Sequence, residues 1–376
     1  MDDIITNAGE ILAAYGITGE IEEIKRICDG HINNTFKVEV KDGSGKLRRY
    51  LIQELNTSVF KDPVNLMNNL IGVTAYLRKE VEKNGGDVDR ESLYAYPAND
   101  GKPYYIDNDG RFWRCFNYIY GAHSEQRVTS PELFRKAAKA FGKFQCMLAD
   151  YPMEGLVETI PNFHNTVSRF SDFKAAVENN ISGRADTCRD EITFALAREK
   201  DCSVFVDLIE SGDLPLRVTH NDTKLNNVMF DDETGEGICV IDLDTVMPGL
   251  SLYDFGDSIR YGASTAAEDE KDLDKVHFSL EYFRAYAEGY LSEAGSSLTK
   301  KEIECLAYSG KLMTLECGMR FLGDYLNGDV YFKTEYPEHN LVRCRTQFKL
   351  VKEMEEKMEE TKKIIEEVCE KLGIEK

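Results

Sequence analysis

Asp222 and Asn227 stand five residues apart in the run Arg217-Val218-Thr219-His220-Asn221-Asp222-Thr223-Lys224-Leu225-Asn226-Asn227. A third polar group, Asp242, closes the apolar stretch Ile238-Cys239-Val240-Ile241. Short apolar runs around polar residues at this spacing leave few folding options. Leu216 to Thr219 reads as a strand that enters a loop. Asn227 to Phe230 and Ile238 to Ile241 read as the arms of a hairpin, joined by the turn-rich residues 231–237. A hairpin of this kind is expected to carry Asp242 back beside Asn227, with Asp222 presented by the loop between.

That layout suits phosphoryl transfer. One aspartate orients an attacking hydroxyl and accepts its proton, while an asparagine and a second aspartate hold Mg²⁺ on the phosphates of ATP. Mg²⁺ takes oxygen ligands in near-octahedral geometry and usually keeps several waters, so two protein ligands suffice. Asp222 is the expected base, and Asn227 and Asp242 are the expected metal ligands. Lys224, two residues past the base, is placed to steady charge on the transferring group. The plainer alternatives are an Asx-rich turn in an acidic chain and a solvent-facing lysine. A literal Asp254-Phe255-Gly256 also occurs. It follows no buried strand, so Asp254 and Asp257 are expected to brace the catalytic loop from the start of a helix.

Composition narrows the partners. The 376 residues carry a formal net charge of −21, which argues against nucleic acid, whose phosphates need clustered Lys and Arg. The ten cysteines form no C-x-x-C pair and no zinc-spaced cluster with His. Met1-Asp2-Asp3-Ile4 lacks a basic leader, and no apolar run approaches the roughly 20 residues of a membrane span. A monomer of the reducing cytoplasm, acting on small molecules and away from membranes, is the expectation.

Along the chain, a short helix is expected near 5–15, with Ile5, Ile11, Leu12 and Tyr15 on one face and Gly16 as its stop. Strands follow at 21–27, 35–40 and 49–54, then a helix opened by Asp62-Pro63 and running to about Val81. Further strands are expected near 103–106 and 111–120. From Ser130 helical periodicity dominates, ending in one amphipathic helix from Gln347 to Leu372 with Leu350, Met354, Met358, Ile365, Val368 and Leu372 as its stripe. The fold class is therefore α+β, a protein-kinase-like two-lobed fold. A nucleotide-binding lobe at 1–117 precedes a helical catalytic lobe at 118–376.

On the nucleotide side, Gly30-His31-Ile32-Asn33-Asn34-Thr35-Phe36 joins the first two strands, where a phosphate-covering loop belongs. It has one glycine, yet His31, Asn33, Asn34 and Thr35 are candidate donors to phosphate. Gln53 stands where a kinase carries its phosphate-gripping lysine, and Asn65, Asn68 and Asn69 stand where the partner glutamate would be. Arg48, Arg49 and Lys61 are candidate substitutes. Trp113 is expected in the core, and Asn117, Tyr118 and Ile119 at a hinge against adenine.

No activation segment ending in Ala-Pro-Glu is present, which excludes the protein-kinase pattern. The chain resembles the aminoglycoside phosphotransferase and choline kinase superfamily of small-molecule kinases. Within it the likeness is to bacterial kinases of N-acetylhexosamines. The residues that carry it are 51–56, 59–63, 219–228, 239–260, 314–322, 328–332 and 339–346. The resemblance implies transfer of the γ-phosphate of ATP, with Mg²⁺, to the anomeric hydroxyl of N-acetylglucosamine or N-acetylgalactosamine. It implies Asp222 as base and Arg320 and Tyr331 as sugar contacts. A salt bridge from Arg320 to Glu316 or Asp324 within its helix is the bland alternative. Choline, homoserine or methylthioribose kinases are rival readings, as is a nucleotide-binding pseudokinase motivated by Gln53.

Overall fold

The computed structural model describes residues 2–27 and 32–374, with the side chains of 2–6 outside that description. The chain forms two compact units, one of Met1–Ala122, Glu154–Ile160 and Ile238–Val246, the other of His123–Met153, Pro161–Gly237 and Met247–Lys376.

The first unit holds α1 (Asp2–Ala14), β1 (Glu20–Ile27), β2 (Asn34–Lys41), β3 (Leu47–Glu54), α2 (Pro63–Lys83), β4 (Tyr105–Ile106) and β5 (Phe112–Asn117). The strands make one antiparallel sheet in the order β1-β2-β3-β5-β4. Side chains alternate across a strand, so Phe36, Val38 and Val40 share one face. They are buried with Ile52, Trp113 and Cys115 against Ile11 and Leu12 of α1 and Tyr15 just beyond it. Trp113 is fully buried, and its indole N–H donates to Asp107 at 2.8 Å. Asp62 caps α2 by accepting from the Asn65 N–H, with Pro63 in the first turn, where its missing N–H is harmless. Buried Asn69 of α2 explains how two distant segments join this unit. Its side chain bonds the N–H and C=O of Val157 at 3.1 and 2.8 Å and the C=O of Val246 at 3.2 Å.

Next in chain order come β6 (Ala122–Ser124), α3 (Pro131–Met147), α4 (Thr166–Asn179), α5 (Arg189–Leu196), α6 (Glu199–Glu210), β7 (Arg217–Thr219), β8 (Val228–Asp231) and β9 (Gly237–Val240). They are followed by β10 (Met247–Gly249), α7 (Ser251–Gly262), α8 (Leu280–Ala294), α9 (Lys300–Asn327), α10 (His339–Glu356) and α11 (Met358–Leu372). In the second unit α3 lies close on α8, because a Cβ at Gly142 would stand 2.8 Å from the Tyr290 carbonyl oxygen. The 28-residue α9 is the axis, with α4, α7, α10 and α11 packed on it. Thr299 and Glu302 form its capping box, and Gly328 ends it at φ 96°.

The single C-terminal helix expected from the sequence is two. It begins earlier, at His339, and breaks at Lys357, whose amine donates to the Phe278 carbonyl at 2.8 Å. The break lets α10 pack on α9 while α11 also meets α8. Leu372, expected on the buried stripe, is 40% exposed. Among the described residues no helix is long and apolar enough to cross a membrane.

Two buried carboxylates hold this unit together. Glu302 accepts from the Arg217 guanidinium at 2.6 and 2.8 Å, from Ser251 at 2.7 Å and from the Thr299 N–H at 2.7 Å. Glu302→Ala strands the Arg217 charge and is expected to destabilise the protein by about 3–5 kcal/mol, read by urea unfolding. Glu353 is the second. Burial alone would raise its pKa. The Phe278 N–H, His277, Lys349 and Lys357 outweigh burial and hold it at about 2, against an ordinary 4.5. A depressed acid stabilises the fold above its unfolded pKa and loses that contribution as pH falls. About 3 kcal/mol should therefore vanish between pH 4.5 and 2. In Glu353→Gln that part of the acid-unfolding profile is expected to flatten.

Candidate active site

The loop that follows β7 is shaped by backbone hydrogen bonds to one buried carboxylate. Asp254, in the first turn of α7, accepts the N–H of His220 at 2.9 Å and of Asn221 at 2.7 Å. Burial pushes its carboxyl up to about 6 despite these donors. The Asp254 carbonyl accepts from Thr223 Oγ1 at 2.5 Å. The literal Asp-Phe-Gly is thus helical, and it braces the loop. Asn221 adopts φ 63°, a left-handed conformation that Asn tolerates better than most residues. Its side chain accepts from Thr219 Oγ1 at 3.0 Å. Gly249 of β10 passes so close that a Cβ there would run into Thr219 and Asn221.

The loop brings Asp222, Lys224 and Asn227 together. Lys224 Nζ lies 3.1 Å from Asp222 Oδ1, and Asn227 Nδ2 donates to the Asp222 carbonyl at 2.7 Å and to Oδ2 at 3.2 Å. Burial would raise the Asp222 pKa, but the Lys224 and His220 charges outweigh it and hold the carboxyl below its ordinary range. Asp222 is therefore an ionised acceptor at neutral pH, as a base must be.

Arg320 and Tyr331 also meet in this unit. The Arg320 guanidinium lies 5.7 Å from the Tyr331 ring centroid, 5.2 Å from Phe163 and 5.6 Å from Phe332. Among the described residues it makes no hydrogen bond or ion pair. Its two helical neighbours are engaged elsewhere. Glu316 lies 2.8 Å from His164 Nδ1. Asp324 accepts the N–H groups of Val330, Tyr331 and Phe332 at 2.8–3.0 Å, which shapes the turn that presents Tyr331. A bare guanidinium among aromatic rings can bind polar oxygens bidentately, beside rings able to face a sugar.

In the first unit, Thr35, Gln53 and Arg114 oppose one another across β2, β3 and β5 and so share a face. Arg114 is the residue the sequence reading missed. Its guanidinium donates to Gln53 Oε1 at 2.7 and 2.5 Å and to Asp244 at 2.5 and 2.8 Å. Gln53 Nε2 donates to Thr35 at 2.7 Å, and Asn33 Nδ2 to Asp244 at 2.8 Å. Two of the three proposed substitutes for the missing lysine are engaged elsewhere, Arg48 with Asp42 and Arg49 with Glu39. The available signal was a lone Arg in the otherwise uncharged, wholly buried strand Phe112–Asn117. Asn34 bonds Glu54 at 3.0 Å. The Asn117 N–H and side chain are bound to residues 89–94, so neither of these groups is open to adenine, and Ile119 is buried. His31 lies outside the described residues.

Asp242 ends the β9 segment at φ 60° and is exposed. Its neighbour Asp244 is tied up by Arg114 and Asn33 and so is structural. The donor chemistry fits a divalent cation. With Nδ2 committed to Asp222, the Asn227 amide can turn its oxygen toward a cation. Among the described residues no group of three or more His, Cys, Asp or Glu could cage a metal. A Mg²⁺ bound mainly through phosphates needs none.

An aspartate held ionised, a lysine and an asparagine thus stand together on one loop. The chain belongs to the phosphotransferase enzyme family, whose model matches residues 98–295. Solved structures agree on the fold. The choline kinase of Cryptosporidium parvum is 14% identical with a TM-score of 0.58, over 96% of each chain. A Plasmodium vivax ethanolamine kinase is 15% identical at 0.57, over 92% of this chain and 88% of that one. A spectinomycin phosphotransferase solved with ADP and spectinomycin is 12% identical at 0.52, over 94% and 98%. The expected architecture of an N-terminal antiparallel sheet followed by a helical part is the one these kinases share. Asp254→Asn, which orphans at least one buried loop N–H, is expected to cost about 1–3 kcal/mol by denaturation and to lower kcat more than it raises KM for ATP.

Proposed function

We propose that the chain is an ATP-dependent kinase of the anomeric hydroxyl of N-acetylhexosamines, yielding the sugar 1-phosphate and ADP. The observation that carries this reading is the Arg320 guanidinium, which has no polar partner among the described residues and is framed by Phe163, Tyr331 and Phe332. A choline-type acceptor is a cation and wants an aromatic, acidic cage, which an unpaired guanidinium opposes. A neutral sugar instead offers hydroxyl and acetamido oxygens to its N–H groups.

In the proposed mechanism Asp222 accepts the proton of the 1-hydroxyl as its oxygen attacks the γ-phosphorus, and ADP leaves. Lys224 steadies the transferring charge. Asn227 and Asp242 are the residues that would hold Mg²⁺, which neutralises phosphate charge when bound. Asn33, Asn34 and Thr35 are the proposed phosphate donors, and Tyr118 and Ile119 the adenine contacts. Residues 1–117 would serve the nucleotide and 118–376 the acceptor.

The test is an acceptor panel with ATP and Mg²⁺, followed by phosphorus NMR. N-acetylglucosamine or N-acetylgalactosamine should give a 1-phosphate, and silence on both overturns the substrate claim. Asp222→Asn is expected to lower kcat by about 10²- to 10⁴-fold with ATP binding retained. Unchanged turnover would dismiss Asp222 as the base.

A further inference from the structure

His164 is buried, with an acceptor at each ring nitrogen. Nε2 lies 3.0 Å from the Asn221 carbonyl oxygen and Nδ1 lies 2.8 Å from Glu316 Oε1. A carbonyl can only accept, so Nε2 carries a proton. The second proton is shared between Nδ1 and the Glu316 carboxyl. Glu316 is buried, and its Oε2 has no hydrogen-bond partner among the described residues. The Phe163 ring lies 4.5 Å from the imidazole, and the Arg320 guanidinium 5.2 Å from Phe163.

Two facts make this more than a satisfied core histidine. Asn221 is the left-handed residue immediately before the base, so its carbonyl belongs to the peptide that orients Asp222. Glu316 stands four residues, one helical turn, before Arg320 on α9. One side-chain pair therefore ties the helix that bears the acceptor-binding arginine to the peptide that aims the base.

We infer that His164 and Glu316 are positioning residues for phosphoryl transfer, a relay that fixes Asp222 against the acceptor side of the site at Arg320. Its part in acceptor turnover rests on the proposed reading of Arg320. Its hold on the loop does not. Misplacing a reacting group by about 1 Å can cost about 10²-fold in rate, so a single hydrogen bond to this peptide is enough to matter.

The double variant His164→Phe with Glu316→Gln removes the imidazole without leaving a buried charge. It is expected to lower kcat for the N-acetylhexosamine by about 10- to 100-fold, with KM for ATP within about twofold of wild type. Hydrogen exchange at the amides of residues 221–223 should quicken by at least about tenfold. Glu316→Gln alone keeps the link, because the new amide can donate to Nδ1 while Nε2 still donates to Asn221. Restoring His164 in this way should recover kcat to within about threefold. Wild-type kcat and exchange in the double variant would overturn the relay. So would an equal loss in Glu316→Gln alone. If the wild type turns over neither N-acetylhexosamine, the substrate reading falls, and loop exchange alone then decides the relay.

Discussion

The peptide between Asn221 and Asp222 has no freedom of its own. Asn221 sits at φ 63°, its N–H is held by Asp254, its side chain by Thr219, and its carbonyl by His164. A left-handed non-glycine residue is mildly unfavourable and persists only where its surroundings over-determine it. Here the strain has a use, because it points Asp222 and Asn227 from one short loop. β7, β10, the start of α7 and the middle of α9 can all be read as the scaffold of that single turn.

Buried charge is the second organising feature. The chain is strongly acidic, yet its interior cations are matched in pairs. Arg217 meets Glu302 at 2.6 Å, Arg114 meets Asp244 at 2.5 Å, and Arg260 meets Asp257 at 2.7 Å. Burying a charge without such a partner is expensive, so each pair fixes which segments must meet. Arg320 departs from that pattern. Aromatic faces surround it and, among the described residues, no carboxylate pairs with it directly, and a residue that breaks the local rule is where function is expected.

Much of the fold was legible in order along the chain. The alternation Phe36, Val38, Val40 marks a half-buried strand whatever it pairs with, and Asp62-Pro63 marks a helix start by local chemistry alone. The meeting of Asp222, Lys224 and Asn227 was legible for a similar reason, because they stand within six residues of one another. Arg114 was not, since its partners Gln53 and Asp244 are 61 and 130 residues away. His164 was not either, with Glu316 152 residues distant. Local pattern cannot say which of several acidic residues a buried cation will choose.

The same division accounts for the corrections. Periodicity continued through Lys357, but packing of α10 on α9 and of α11 on α8 broke the helix there. Asn117 was rightly placed on the last full strand, but its hydrogen bonds went to residues 89–94. The sequence by itself determined most of the element order, the grouping of Asp222, Lys224 and Asn227 on one loop and the absence of an activation segment, because backbone propensity and close spacing are properties of neighbours. Only the tertiary structure decided that Asp254 braces the loop, that Asp244 is neutralised by Arg114, and that Arg320 meets aromatic rings and no polar partner among the described residues. Those outcomes depend on which distant groups share a low-dielectric interior, where each buried charge must find its partner or face a ligand.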